Sequence, residues 1–261
     1  MISVLVCGAG GKMGQEVMRS VWHDPALKLV GGVDISRSGE RVGDLIDEPC
    51  DLIIQNDLAA AIAQAAPDVV VDFTTPKVVY QNARTILQSG TFAVIGTTGL
   101  SAEQRNDLDA LAKTHDVAVL VAPNFSLGAV LMMQAAAQIA RYLPETEIIE
   151  LHHNHKYDAP SGTAKLTAEK INQARSESPE EDRTQESIPG ARGADWQDVR
   201  IHSVRLPGYV AHQEVLFGGH GEILTIRHDS LSRSSFMPGV LLACKHIQEK
   251  HGLVYGLEHF L

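Results

Sequence analysis

The densest run of reactive side chains in the sequence is Leu151–Thr163, LHHNHKYDAPSGT. Read as a strand end, it puts His152 and Lys156 on one face and His153 and His155 on the other. An imidazole beside a fixed positive charge suits proton exchange with an anionic ligand near neutral pH. Zinc is the other chemistry that histidines support. Only two of the three histidines share a face, however, and Lys156 opposes a cation, so no metal site is expected. His155 reads as a surface or satisfied core residue without a role in the site. Pro160, Ser161, Gly162 and Thr163 then open a helix, whose unpaired N–H groups can hold a carboxylate.

A second group of residues has a different chemistry. Gly8, Gly10, Gly11 and Gly14 lie in the stretch GAGGKMG, directly after an apolar run. Glycines there let the backbone turn tightly and approach a pyrophosphate at a helix N-terminus. The strict GxGxxG pattern fails at Met13, and the spacing that fits is Gly8-x-x-Gly11-x-x-Gly14. Asp34, 20 residues beyond Gly14, stands where an acid can accept the ribose hydroxyl protons of NAD. Lys12, Arg37 and Arg41 are cations that can neutralise the extra phosphate of NADP, although Arg41 reads better as surface charge. Both NADH and NADPH stay open. Gly96-Thr97-Thr98-Gly99 and Ala122-Pro123-Asn124-Phe125 end two further strands, where ligands of open α/β sheets bind. Small and hydroxyl residues there can bond a nicotinamide carboxamide and ribose.

These sites need elements to place them. Apolar runs at Ile2–Cys7, Leu27–Val33, Leu52–Gln55, Asp68–Phe73, Phe92–Ile95 and Val117–Val121 alternate with helical patterns at Lys12–His23, Leu58–Ala65, Pro76–Ser89 and Ala102–Thr114. Ser36–Glu48 reads as polar and mobile, and Val117–Val121 as the last strand. The alternation predicts a doubly wound, Rossmann-type parallel sheet. After Asn124 the texture changes to a helix at Leu127–Leu143, a strand at Glu147–His152 and a helix at Ala164–Ala174. A charged loop and three strands follow, at Val199–Leu206, Tyr209–Phe217 and Glu222–His228. This predicts an α+β second domain with a mixed or antiparallel sheet. The expected division is a dinucleotide-binding domain over 1–126, completed by 232–261, and a substrate-binding and oligomerisation domain over 127–231. Phe236–Lys250 and the tail Leu253–Leu261 read as helical and apolar.

The formal net charge of −10 over 261 residues excludes a general nucleic-acid or anionic-membrane binder. No stretch reaches the roughly 20 apolar residues of a membrane span. The N-terminus runs straight into the glycine turn, so the expected location is the cytoplasm. Cys7, Cys50 and Cys244 are too scattered for a disulfide framework or a thiolate zinc site.

The run from Glu150 to Ala164 resembles the signature of the dihydrodipicolinate reductase family, E-[LA]-H-H-x-x-K-x-D-A-P-S-G-T-A. The family's GAGG-[KR]-MG, DFT, GTTG and NFS motifs are matched at Gly8–Gly14, Asp72–Thr74, Gly96–Gly99 and Asn124–Ser126. The resemblance spans essentially the whole chain. It implies NAD(P)H-dependent reduction of 4-hydroxy-tetrahydrodipicolinate, a small dicarboxylate heterocycle, to tetrahydrodipicolinate in diaminopimelate–lysine biosynthesis, with loss of water. By position it makes His152 a proton donor or acceptor, Lys156 the proton donor, and His153, Ser161, Gly162 and Thr163 substrate ligands. Gly8, Ala9, Gly10, Gly11, Lys12, Met13, Asp34, Arg37, Gly96–Thr98 and Ala122–Phe125 would line the cofactor. It also implies a homotetramer built through the sheet of the second domain, and a C-terminal helix packed on the first. Two other readings carry less of the sequence: a dehydrogenase of another amino acid or carboxylate, and a non-catalytic dinucleotide-binding redox sensor. Neither gives the His152–Thr163 segment a reason to exist.

Overall fold

The structure is a computed structural model that describes all 261 residues. Its contacts divide the chain into two compact units, Met1–Phe125 with Phe236–Leu261, and Ser126–Ser235. Unit 1 opens with β1 (Ile2–Cys7), α1 (Lys12–His23), β2 (Leu27–Val33), α2 (Val42–Ile46), β3 (Ile54–Gln55), α3 (Leu58–Ala65) and β4 (Val69–Asp72). It continues through α4 (Val79–Gln88), β5 (Phe92–Ile95), α5 (Ala102–Thr114) and β6 (Ala118–Val121). The strands read as unbroken apolar runs because helices cover both faces, and Val4, Leu5 and Val6 have no solvent exposure. Helix starts follow local chemistry. At α5, the Ser101 hydroxyl accepts the Gln104 N–H while Gln104 accepts the Ser101 N–H, a reciprocal cap.

Unit 2 contains α6 (Leu127–Ile139), β7 (Glu145–His152), α7 (Gly162–Ala174), β8 (Ala194–Trp196), β9 (Val199–Arg205), β10 (Ala211–Gly219) and β11 (Glu222–Ser230). Its five-stranded sheet has the order β11-β10-β7-β9-β8. β7 and β9 run parallel, and the other pairs are antiparallel. Ile148, Val215, Phe217, Val199 and Ile201 line one face and pack with Met132, Ala136, Ala168 and Ile171. Side chains alternate across a strand, so Glu150 and His152 follow Ile148 onto that same covered face.

The chain then returns to unit 1 with α8 (Met237–His246) and β12 (Gly252–Tyr255). The seven-stranded sheet has the order β12-β6-β5-β4-β1-β2-β3, with every pair parallel. Strand order therefore reverses between β1 and β4, opening the crevice in which such sheets bind nucleotides.

Four local expectations fail, the first of them the charged loop before Val199, whose end forms the short strand β8 paired to β9. Val117–Val121 does not end the series, because β12 pairs beyond it. The tail is partly extended for the same reason, with Leu253 paired to Val119 and Tyr255 to Val121. Ser36–Glu48 holds the short helix α2, whose Val42 and Ile46 are buried. Its three apolar residues, Val42, Leu45 and Ile46, fill a single turn, too short a run to raise a helical signal in that polar stretch. No helix is long and apolar enough to cross a membrane.

Cys7, Cys50 and Cys244 are all buried and free. Burial pushes the Cys244 thiol up to about 12. Burial, helped by the nearby Asp72 carboxylate, pushes Cys7 well above the usual thiol range. The native chain should thus react slowly with a thiol reagent, and denaturation should release three thiols. Rapid native-state titration of Cys7 or Cys244 would contradict this.

Candidate active site

The glycine turn leaves β1 and enters α1. Gly8 has φ +80° and lies against β4, where an added Cβ would stand 2.6 Å from the Phe73 carbonyl oxygen. A Cβ at Gly10 would meet the Arg37 Cγ at 2.5 Å and the Asp34 carboxylate at 2.9 Å. The turn is a cradle that side chains would fill. α1 has no side-chain cap and no acid in its first turn, and the N–H groups of Lys12 and Met13 find no acceptor in the chain. Its positive end is thus free for an anion. Asp34 closes the cradle. Its Oδ2 accepts the Gly10 N–H at 2.9 Å, and its Oδ1 accepts the Ser36 N–H and hydroxyl at 2.8 and 2.6 Å. Burial would raise this carboxyl, but these bonds and one from the Arg37 N–H hold it below the usual range. The Arg37 guanidinium pairs with Glu40 at 3.3 Å, and Arg41 pairs with Asp51.

Across the crevice, Asp72 ends β4 fully buried. Its carboxylate accepts from the Thr74 N–H and hydroxyl, the Thr97 hydroxyl and the Asn82 amide, at 2.7–3.0 Å. Gly96 fits under Phe73, whose ring would stand 2.1 Å from an added Cβ. Phe125 is buried with its ring 5.7 Å from that of Phe73. A cavity of about 50 Å³ lies among Thr97, Thr98, Gly99, Ala122, Pro123, Arg105 and Tyr255.

The second constellation lies in unit 2. His152 is the last residue of β7, and Lys156 is not on the strand. The Lys156 N–H closes a turn onto the His153 carbonyl at 3.1 Å, so the shared strand face expected for His152 and Lys156 does not form. Asn154 and His155 occupy the tip of that turn, and the His153 and His155 rings are 6.3 Å apart. His153 Nδ1 is buried without a partner.

What joins His152 to Lys156 is a network. His152 Nδ1 bonds to the Glu150 carboxylate, and Glu150 is fully buried. Arg205 clamps both Glu150 oxygens, at 2.8 and 2.7 Å, and also donates to the Asp158 carbonyl at 2.7 Å. The Asp158 carboxylate in turn accepts from Lys156 Nζ at 2.6 Å. Burial would raise the Glu150 carboxyl, but hydrogen bonds from His152, Arg205 and Ser203 hold it at about 2. Removing one partner from such a buried pair costs about 3–5 kcal/mol, far more than an exposed pair is worth.

Ser161 caps α7, its hydroxyl accepting the Ala164 N–H at 3.1 Å, while its own N–H donates to Glu150 at 3.3 Å. α7 therefore begins at Gly162 rather than at Ala164. Nothing lies within 4 Å of a Cβ added at Gly162, and Thr163 follows in the first turn. No group of three or more His, Cys, Asp or Glu side chains is arranged to hold a metal ion. A cavity of about 700 Å³ lies at the other end of β7 from His152. Glu145, Glu147, Glu180, Asp182 and Asp195 line it, which is a poor setting for a dicarboxylate.

Family models described as dihydrodipicolinate reductase, N-terminus, and dihydrodipicolinate reductase, C-terminus, match residues 2–125 and 128–261. The chain belongs to the dihydrodipicolinate reductase family. It is 52% identical over 260 residues to 4-hydroxy-tetrahydrodipicolinate reductase of Syntrophomonas wolfei, covering 99% of this chain and 98% of that protein. Identity to the enzyme of the same name from Moorella thermoacetica is 50% over 265 residues, covering 100% and 98%. The dipicolinate-bound dihydrodipicolinate reductase of Paenisporosarcina sp. TG-14 superposes with a TM-score of 0.89, at 43% identity and full coverage of both chains. An amine dehydrogenase from Mycobacterium smegmatis shares the fold alone, with a TM-score of 0.70 at 13% identity over 97% of this chain and 94% of that one.

In this family member, sequence reasoning missed Glu150, Arg205, Asp158 and Tyr255 as parts of the two constellations. Glu150 could have been found from its i, i+2 spacing to His152, which places an acid beside an imidazole on one strand face. Arg205 could not, since its register opposite His152 arises only when β7 and β9 pair. Tyr255, with Arg105 stacked 4.8 Å above its ring, was hidden because the tail read as helical.

Proposed function

We propose that this chain catalyses NAD(P)H-dependent reduction of 4-hydroxy-tetrahydrodipicolinate, with loss of water, to tetrahydrodipicolinate. The observation that carries this reading is the contact chain His152–Glu150–Arg205–Asp158–Lys156, built on the signature segment. The dinucleotide would be held at Gly8, Ala9, Gly10, Gly11, Lys12 and Met13, with Asp34 and Arg37 at the adenosine ribose. Gly96, Thr97, Thr98, Ala122, Pro123, Asn124 and Phe125 would surround its nicotinamide. When bound, it supplies the hydride. The rest falls to the chain. Gly162 and Thr163, at the positive end of α7, hold a substrate carboxylate with His153. The Lys156 ammonium stabilises charge that builds on the nitrogen side of the ring and delivers a proton there. His152 exchanges a proton through Nε2, because Nδ1 is committed to Glu150.

The test is a coupled assay that generates the substrate freshly and follows NADH or NADPH absorbance. Consumption of either cofactor, dependent on substrate, is the expected result. Dinucleotide binding without turnover would support a redox sensor, and turnover only with another carboxylate would support a different dehydrogenase.

Cofactor choice has its own test. Asp34 would accept ribose hydroxyl protons from NADH but face the phosphate of NADPH, so Asp34→Ala should weaken NADH more than NADPH. Equal losses would remove the assignment. We further propose a cytoplasmic homotetramer assembled through the uncovered face of the unit 2 sheet, which carries Ile149, Leu151, Val204 and Leu216, half-buried, opposite the helix-covered face. Light scattering behind a sizing column should give the mass of four chains.

A further inference from the structure

We infer that the buried Glu150–Arg205 pair is one positioning unit with two arms: Glu150 fixes the tautomer of His152, and Arg205 fixes the place of Lys156. The inference rests on reading His152 and Lys156 as the groups that handle protons.

The first arm follows from donor counting. An ionised carboxylate can only accept. Glu150 accepts from both Arg205 nitrogens, the Ser161 N–H and the Ser203 hydroxyl, and since a carboxylate can only accept, its contact with His152 Nδ1 requires that nitrogen to carry the proton. In the neutral ring Nε2 then keeps its lone pair, and it is the ring atom able to exchange a proton with a ligand. The surroundings protect this choice. β9 contributes Arg205 and Ser203, and β10 contributes Gln213 opposite Glu150. The Gln213 amide nitrogen donates to the Thr167 hydroxyl of α7 at 2.8 Å, and its oxygen is buried without a partner. None of these is a second acid.

The second arm uses the planar shape of guanidinium. Its fork spans the Glu150 carboxylate, and one nitrogen reaches on to the Asp158 carbonyl. Asp158 carries the carboxylate that holds Lys156 Nζ. A lysine at 205 would keep the charge but could not span both acceptors.

The decisive measurement is ¹⁵N NMR of histidine-labelled chain, with the His152 signals assigned by their loss in His152→Gln. The unaltered chain should show the Nδ1–H tautomer at His152. In Glu150→Gln, the amide oxygen turns toward Arg205 and Ser161, its NH₂ faces the ring, and His152 should switch to Nε2–H. Turnover should fall about 100-fold or more, with substrate KM and the NADH dissociation constant each changing less than about threefold. Arg205→Lys should lose turnover comparably while keeping the native tautomer.

An Nε2–H tautomer in the unaltered chain would overturn the inference. So would a Glu150→Gln or Arg205→Lys enzyme whose loss lies wholly in substrate KM, since the pair would then be a substrate ligand. Should Glu150→Gln fail to fold, the native tautomer and Arg205→Lys still decide. A chain that shows the Nδ1–H tautomer yet does not reduce the substrate would sink the proposed function and leave the Glu150 arm standing.

Discussion

Lys156→Ala should lower turnover about 100- to 10,000-fold and leave the dinucleotide dissociation constant unchanged. The side chain is mostly buried, and its ammonium bonds to Asp158. A compact ammonium there can meet a dianionic substrate and still give up a proton. Lys156→Arg should not rescue, because guanidinium keeps its protons at any working pH and needs a wider acceptor. The dinucleotide should be indifferent, since the glycine cradle is built from unit 1 and Lys156 from unit 2. Turnover, substrate KM and NADH affinity, measured together, check the claim. Near-normal turnover would refute the role, and so would a loss traced wholly to weaker NADH binding.

Gly14→Ala should abolish useful dinucleotide binding, raising the dissociation constants of NADH and NADPH more than about 100-fold, or about 2.7 kcal/mol. The added methyl would stand 2.1 Å from the Gly8 carbonyl oxygen, 2.8 Å from its carbon and 2.9 Å from the Ala9 Cα. All three are backbone atoms of the turn itself, so no side chain can swing aside. Either α1 moves away or the cradle opens. Overpacking of this kind costs about 1–3 kcal/mol in stability as well. Gly162→Ala is the control, because its methyl meets nothing within 4 Å. That variant should fold with unchanged melting temperature and bind NADH normally. Isothermal titration on both variants settles the matter, and a Gly14→Ala chain with native NADH affinity would show that the cradle is not the nucleotide site.

The two variants also mark what the sequence made legible. β1, the glycine turn and Asp34 could be read because a parallel strand buried on both faces is an unbroken apolar run, and a glycine turn at its end is a local feature. The His152–Thr163 segment was legible as chemistry but not as geometry. Strand alternation puts its residues on one extended strand, whereas the chain turns at His153, a choice set by the bond from Lys156 back to His153. Arg205 lay beyond reach for another reason. Its partner is 55 positions away, and only the pairing of β7 with β9 brings the two together. β12 was missed because Gly252–Tyr255 is four residues long and needs β6 as its template.

That last strand has a consequence for the order of events during synthesis. β6 is made before Ser126, but the strand that covers its outer side comes after the whole of Ser126–Ser235. At elongation rates of about 5–20 residues per second, β6 waits roughly 7–27 seconds with an open edge. An unpaired edge of Ala118–Val121 is a template for pairing with a neighbouring nascent chain. Ribosomes crowded on one message therefore hold several such edges near one another. A chain released early, after Ser235, would keep its edge open permanently, so partial products should be found in aggregates or in complex with chaperones rather than free.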